Sequence, residues 1–421
     1  MKLPKPVCLV LLLWSLAAVA FAGEPFRTDI NPALLCYQAF ALTPSLSQDD
    51  HQYMFDREWR GRALDPRFDR LIAGYDNQFK LLRQASQARV PCDWGVDLTQ
   101  GPDTLLPGLA RAKAVAQTAR LRAMWHLRRG RPNEARDDLL AAFWLGRNVG
   151  NDGVVIGALV SFAMETILTS AVAENSFEFS PETLRELIAG FDATRDRVTV
   201  QQCMAVEQFS FFEWFITKLR ELQMETPGDD AAVLAKVRAL FARIFVEEAK
   251  PDPEFVERVI RFAGGTSAGL IARFQELKPL YVELTALLGL PYGQYEAASR
   301  EFQEKLAKHS NPLSANFLSA IPKSRAKEFL VQTRLAMVHA AVEYRLHGDG
   351  GFRKVADPCG DGPFRFERLT VGGVDRGFLL RSKLNTHGFD EVLVFATNVA
   401  PLVEVQGRNA GQPLAKEPKG K

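Results

Sequence analysis

Three glutamates in this chain of 421 residues stand where a carboxylate could be held out of water. Glu165 lies in the middle of an otherwise apolar run from Val154 to Ala173. Glu207 and Glu213 lie among the aromatics Phe209, Phe211, Phe212, Trp214 and Phe215. Burial raises a carboxyl pKa and can equip the group as a general acid. Hydrolysis of a glycosidic bond would need two such groups facing each other across a cleft, which sequence separation does not address. The plainer reading pairs each glutamate with an arginine or has it cap a neighbouring helix.

His339, Glu343 and His347 recur at four-residue steps on one helical face. Metal-binding helices place two histidines one turn apart. Here the histidines are two turns apart, about 12 Å along the axis, so one ion could take only a His339–Glu343 pair with help from elsewhere. No metal or other cofactor is expected. Asp93, Asp97 and Asp103 are oxygen ligands of the kind calcium takes, but their spacing fits no EF-hand, and turn or capping roles explain them. Arg111 to Arg131 holds seven basic residues and no acidic one. They do not form a single stripe, so a solvated helix paired with acidic neighbours is expected. A P-loop and a dinucleotide glycine fingerprint are missing from the sequence, and Gly265-Thr266-Ser267-Ala268-Gly269, which spells GxSxG, stands between two expected helices and not after a strand as a nucleophile elbow does, so no catalytic signature announces an enzyme.

The elements that must carry these residues are helical for most of the chain. Asn31 before Pro32 and Ser180 before Pro181 read as an N-cap followed by proline at the first helical position. Helices are expected over 32–40, 67–89, 109–129, 133–148, 154–173 and 181–193, with residues 44–52 as a turn. The aromatic-rich segment 197–223 marks a large packed face, and helices continue over 231–249, 252–263, 268–288, 293–308 and 324–346. Gly130, Ala135, Leu139 and Ala142 resemble the turn and second helix of a tetratricopeptide unit. No second copy appears at that unit's period of about 34 residues. The 154–173 helix has the length of a membrane span, but Glu165 at its centre favours a core helix over a tether. After Gly348, Gly350 and Gly351 the pattern changes to short strands at 364–369, 377–383 and 391–396.

Export is the clearest functional statement. Lys2 and Lys5, an apolar run from Val7 to Phe21, and Ala20-Phe21-Ala22 before Gly23 form a cleavable signal over residues 1–22. The two lysines account for the whole formal net charge of +2, so the rest of the chain is balanced. A neutral chain has no overall field to gather nucleic acid or anionic lipid. Cys36, Cys92, Cys203 and Cys359 remain, and in an oxidising compartment they can form two disulfides, most simply Cys36 with Cys92 and Cys203 with Cys359. Buried free thiols are the alternative.

Two stretches carry resemblances. Asp93-Trp94-Gly95-Val96-Asp97-Leu98, continuing through Gly101-Pro102-Asp103-Thr104-Leu105-Leu106-Pro107, resembles a recurrent family of exported bacterial helical proteins. That resemblance implies a C-terminal helix, loop and small sheet, and implies no particular activity. Ala341 to Lys383, with Glu343-Tyr344-Arg345, Asp357-Pro358, Gly360, Phe364-Arg365-Phe366 and Phe378-Leu379-Leu380, is similar to the globular end of type II secretion pseudopilins. A pseudopilin begins with a prepilin peptide and a long apolar helix, where this chain has a cleavable signal. The similarity therefore implies a small αβ module and not a filament subunit.

The expected architecture is mainly α, built of packed helical hairpins, one of them tetratricopeptide-like, with a small C-terminal α+β module. Its parts are a signal at 1–22, a helical body at 23–320, the module at 321–404 and a disordered basic tail at 405–421. The expected function is binding or scaffolding in the cell envelope, periplasmic or secreted, with a protein partner and no nucleic acid. A hydrolase of cell-wall or extracellular polymer using two of Glu165, Glu207 and Glu213 is the alternative.

Overall fold

The computed structural model describes residues 29–244, 253–371, 373–386 and 388–397. The expected signal at 1–22 and the expected tail at 405–421 lie outside the described residues. Helices dominate, and the chain ends in a three-stranded antiparallel sheet.

The first helices are α1 (Pro32–Ala41), α2 (Gln48–Phe55), α3 (Pro66–Ala73) and α4 (Asp76–Ser86). A cap followed by proline starts four of the described helices in the same way, one of them at Asn311-Pro312, where Asn311 accepts the Leu313 N–H. Asn31, Asp65 and Ser180 each accept a backbone N–H of the first turn, ahead of Pro32, Pro66 and Pro181. Two local expectations are corrected here. The helix expected over 67–89 is two helices, broken at Gly74-Tyr75, where the Pro44 ring packs against Gly74. Phe68 and Ile72 before the break, and Phe79 and Leu82 after it, are all buried, so the apolar periodicity survives a bend it does not reveal. Residues 44–52 are not all turn, because Ser47 caps α2 with Asp49 and Asp50 in its first turn.

The hairpin of α5 (Leu109–Arg128) and α6 (Pro132–Val149) comes next, as expected. Gly130, at φ 68°, closes α5: its N–H reaches Leu127 O, and Arg131 N–H reaches His126 O. Ala135, Leu139 and Ala142 form the buried face of α6. Then come α7 (Val155–Glu174) and α8 (Pro181–Ala193). Helix α7 is long and apolar enough to cross a membrane by length and composition. In this fold it packs against α5, α6 and the late helix α17 (Ile321–His347).

Between α8 and α17 the chain forms α9 (Val200–Glu207), a π-helical stretch Gln208–Glu213, α10 (Trp214–Glu225), α11 (Asp230–Ile244), α12 (Pro253–Phe262), α13 (Ser267–Gln275), α14 (Lys278–Leu288), α15 (Tyr292–Lys308) and α16 (Pro312–Leu318). Phe215 stacks on Phe274 at 5.4 Å and meets Phe317 edge-on at 5.7 Å, so the expected aromatic face is a core. A short helix, α18 (Asp349–Phe352), leads to β1 (Arg365–Val371), β2 (Val374–Thr386) and β3 (Phe389–Ala396), paired in that order. Phe378 of β2 stacks on Phe366 of β1 and Phe395 of β3, at 5.0 and 5.1 Å.

Two large apolar clusters run through the described residues, beside a small one of Leu379, Val394 and Ala396 in the sheet, and the large ones do not divide the chain at residue 320. One joins residues from Cys36 to Phe191 with the second half of α17 and the sheet residues Phe378, Leu380 and Phe395. The other joins α9–α16 with Ala158 and Phe162 of α7 and Phe329 and Val331 of α17. The expected C-terminal module therefore shares its core with the N-terminal helices, and α7 and α17 serve both clusters.

Candidate functional site

Each carboxylate singled out in the sequence has its own partners. Glu165 is fully buried; its two oxygens accept from Arg197 Nε at 3.0 Å and Nη2 at 2.5 Å, and Arg147 Nε lies 3.0 Å from Oε1. Glu213 pairs with Lys278 at 3.1 Å and is partly exposed. Glu207 accepts the Val155 N–H at 2.7 Å, at the N-terminus of α7. Its contact at residue 155 and Glu165 are ten residues apart on α7, about 15 Å along the axis. Glu165 and Glu207 therefore lie well apart, and Glu213 has a partner of its own in Lys278.

Glu207 has a different neighbour, Asp152, which accepts the Val154 N–H at 3.2 Å. Together they take up N–H groups that α7 leaves unpaired, since its cap residue Val154 offers no acceptor. Burial, and then the charge of Asp152, raise the Glu207 carboxyl. Burial pushes Asp152 up to about 6 against the pull of its backbone hydrogen bonds. A carboxyl raised on folding stabilises the fold while protonated, and that contribution is lost as pH climbs through about 6. Stability should therefore fall between about pH 4 and about 6.5 and level off above that. Asp152→Asn, which keeps the acceptor for Val154, should flatten that profile and exceed the parent at the upper end of that range by about 1–2 kcal/mol, after discounting for partial exposure. Thermal midpoints across pH check this; a parallel profile for the variant would contradict it.

The other sequence candidates have structural partners. His339 Nε2 lies 3.3 Å from Asp192 of α8, and burial lowers its pKa against the charges of Asp192 and Glu343. His347 lies 3.9 Å from Glu343. Among the described residues no group of three or more His, Cys, Asp or Glu side chains could hold a metal ion. Asp93 accepts the Gly95 N–H, Asp97 caps the short 3-10 turn Leu98–Asp103, and Asp103 pairs with Arg243 at 2.5 Å.

The disulfide expectation is corrected: Cys36, Cys92, Cys203 and Cys359 are all free thiols. Burial holds the Cys36 thiol high and pushes Cys92 and Cys203 up to about 12, as for small apolar core residues. Cys359, half-buried, is raised by burial to about 11 and lies 3.4 Å from the Thr333 hydroxyl.

The basic run 111–131 also departs from its solvated reading. Arg122 is only 1% exposed. Its Nε donates to Asp138 at 2.7 Å and its Nη1 to Asp76 at 2.7 Å. His126 Nε2 lies 3.2 Å from both Arg122 Nη2 and Asp138 Oδ2. Arg83 of α4 is the other partner of Asp138. Burial pushes the Asp138 carboxyl up, but the His126 hydrogen bond and the Arg122 and Arg83 charges outweigh it and hold it below the usual range.

These two ion clusters flank a groove of about 910 Å³ on the outer side of α6. Arg136, Leu140, Trp144 and Asn148, at successive four-residue steps, form its floor along one helical face. One wall is the end of α4 with residues 86–92, and the other is the end of α8 with residues 193–195. Gly190 lets α8 come close, since a Cβ there would sit 2.5 Å from Leu140 Cδ2. The ion clusters hold the walls. Asp138 fixes Arg83, while Arg147, paired with Glu165, donates to Arg195 O at 3.1 Å.

Four arginines line this groove. Arg83 pairs with Asp138, and Arg136 with Asp137 and Glu186. Arg89 and Arg195 are exposed, and their guanidinium groups have no ion-pair or hydrogen-bond partner among the described residues. Such a site can hold an anionic group beside an apolar one; nothing in it arranges a nucleophile or an acid–base pair. Sequence reasoning missed it. The available signal was on α6, where Trp144 and Leu140 recur with Arg136 on the face opposite the buried Ala135-Leu139-Ala142 stripe. No family model matches this chain, and no curated protein or solved structure matches it either.

Proposed function

We propose that this chain is an exported protein of the cell envelope that works by binding a protein partner and not by catalysis, and that the α6 groove receives that partner. The carrying observation is the pair of unpartnered guanidinium groups, Arg89 and Arg195, beside a Leu140–Trp144 floor. At about 910 Å³ the groove is at the upper end of the range for ligand sites. Export is read from the first 22 residues. The hydrolase alternative needs two of Glu165, Glu207 and Glu213 at one cleft, and their separate partners argue against it.

The test replaces Trp144 with a photo-crosslinking amino acid in the full chain expressed in its host. Val282, exposed on α14, carries the control probe. A covalent protein adduct in the envelope fraction from position 144, missing from position 282, is expected. No adduct at 144, together with wall-polymer turnover abolished by a Glu→Gln change at 165, 207 or 213, would overturn the reading in favour of a hydrolase.

A further inference from the structure

Resting on that reading, we propose that the groove takes an extended acidic peptide segment in which apolar side chains alternate with carboxylates. A guanidinium presents a planar fork of donors that matches a carboxylate in two parallel hydrogen bonds. The groove already pairs arginine with carboxylate twice, at Arg83 with Asp138 and at Arg136 with Asp137 and Glu186. Arg89 and Arg195 offer the same fork without a carboxylate to fill it. They stand on different walls, so one occupant meets both only by lying in the groove.

The floor sets the rest of the chemistry. Arg136 to Asn148 is twelve residues of helix, about 18 Å of length. An extended peptide rises about 3.3 Å per residue, so about five or six residues fit. Leu140 and Trp144, with Val90 and Pro91 at the rim, are surfaces for aliphatic side chains, and Asn148 and Thr194 add polar groups. A carbohydrate polyanion offers no aliphatic side chains to that floor. The overall charge is only +2 and the two signal lysines supply it, so the basic character is local to the groove and not that of a general polyanion surface.

The test measures fluorescence anisotropy of a labelled hexapeptide alternating Glu with Leu, titrated with the exported chain. Its Gln-for-Glu counterpart, an acidic oligosaccharide and anionic phospholipid vesicles serve as comparison probes. The acidic peptide should bind at least about tenfold more tightly than the Gln peptide, and more weakly as salt rises. Arg89→Ala with Arg195→Ala should weaken it by at least about tenfold with an unchanged thermal midpoint, because neither side chain has a partner to strand. Equal binding of the two peptides, or binding untouched by the double change, would overturn the proposal. So would capture of the oligosaccharide or vesicles but not the peptide. A Trp144 adduct in cells without acidic-peptide binding would remove the peptide class and leave partner binding intact, whereas loss of both would remove the groove from the function.

Discussion

Glu165→Gln is expected to lower the stability of the fold by about 3–5 kcal/mol, the usual cost of removing one partner from a buried ion pair. Glu165 is fully buried and is the carboxylate that Arg197 and Arg147 share. Glutamine preserves shape and one acceptor but removes the charge, leaving two guanidinium groups close together in a region with little water. Burial, and then the charge of Arg197, lower the Arg147 pKa in the intact protein, and Glu165 is what chiefly opposes them. The loss should also reach the groove, because the network holds residues 194–197 through Arg197 and through Arg195 O. Urea unfolding followed by circular dichroism gives the stability change, and acidic-peptide affinity gives the change at the groove. With two large apolar clusters in one chain, two probes should be compared before a single free energy is quoted. An unchanged midpoint would mean that the arginines swing out to water at no cost.

Asp138→Asn should have a comparable effect, again about 3–5 kcal/mol, because Arg122 is nearly inaccessible and cannot rotate into solvent. Asp76 stays with Arg122 and Arg83 can reach water, so the damage centres on Arg122 and His126. The decisive comparison is the double change Arg122→Met with Asp138→Leu. Replacing a whole buried ion pair by apolar side chains of similar volume is often neutral or stabilising. The double variant should therefore recover most of what the single one loses. If it is as unstable as Asp138→Asn, the cluster stabilises through its geometry with Asp76, Arg83 and Ile72 O and not through charge neutralisation. Acidic-peptide affinity should fall in both variants, since Arg83 on the groove wall loses its anchor.

The fold class is legible in the sequence because its signals are local. Asn31-Pro32 and Ser180-Pro181 place helix starts, Gly130 closes α5, and the change from three- and four-residue steps to alternation after Gly351 marks the sheet. Expectation and structure part where a local signal has two continuations. The apolar steps from Phe68 to Leu82 fit one straight helix as well as two bent ones, and only the structure shows the break at Gly74-Tyr75. The four cysteines after residue 22 suit disulfides if the chain is exported, yet all four are free thiols, three of them buried.

The candidate site is not legible, and the reason is physical. Glu165 stands out because a charge in an apolar helix must find a partner, and the sequence sets that necessity without naming Arg147 or Arg197. Arg122 reads as one of seven solvated charges, because nothing along the helix says which face α4 and α6 will cover. The groove needs α4, α6 and α8 at once, from segments spread over residues 83–195. Helix type, caps and turns depend on a few neighbouring residues, so the sequence alone determined that this is a mainly helical chain with a small C-terminal sheet. Which charges are neutralised and which are left open depends on how distant helices pack, so only the tertiary structure decided that Arg89 and Arg195 stand unpaired over Leu140 and Trp144.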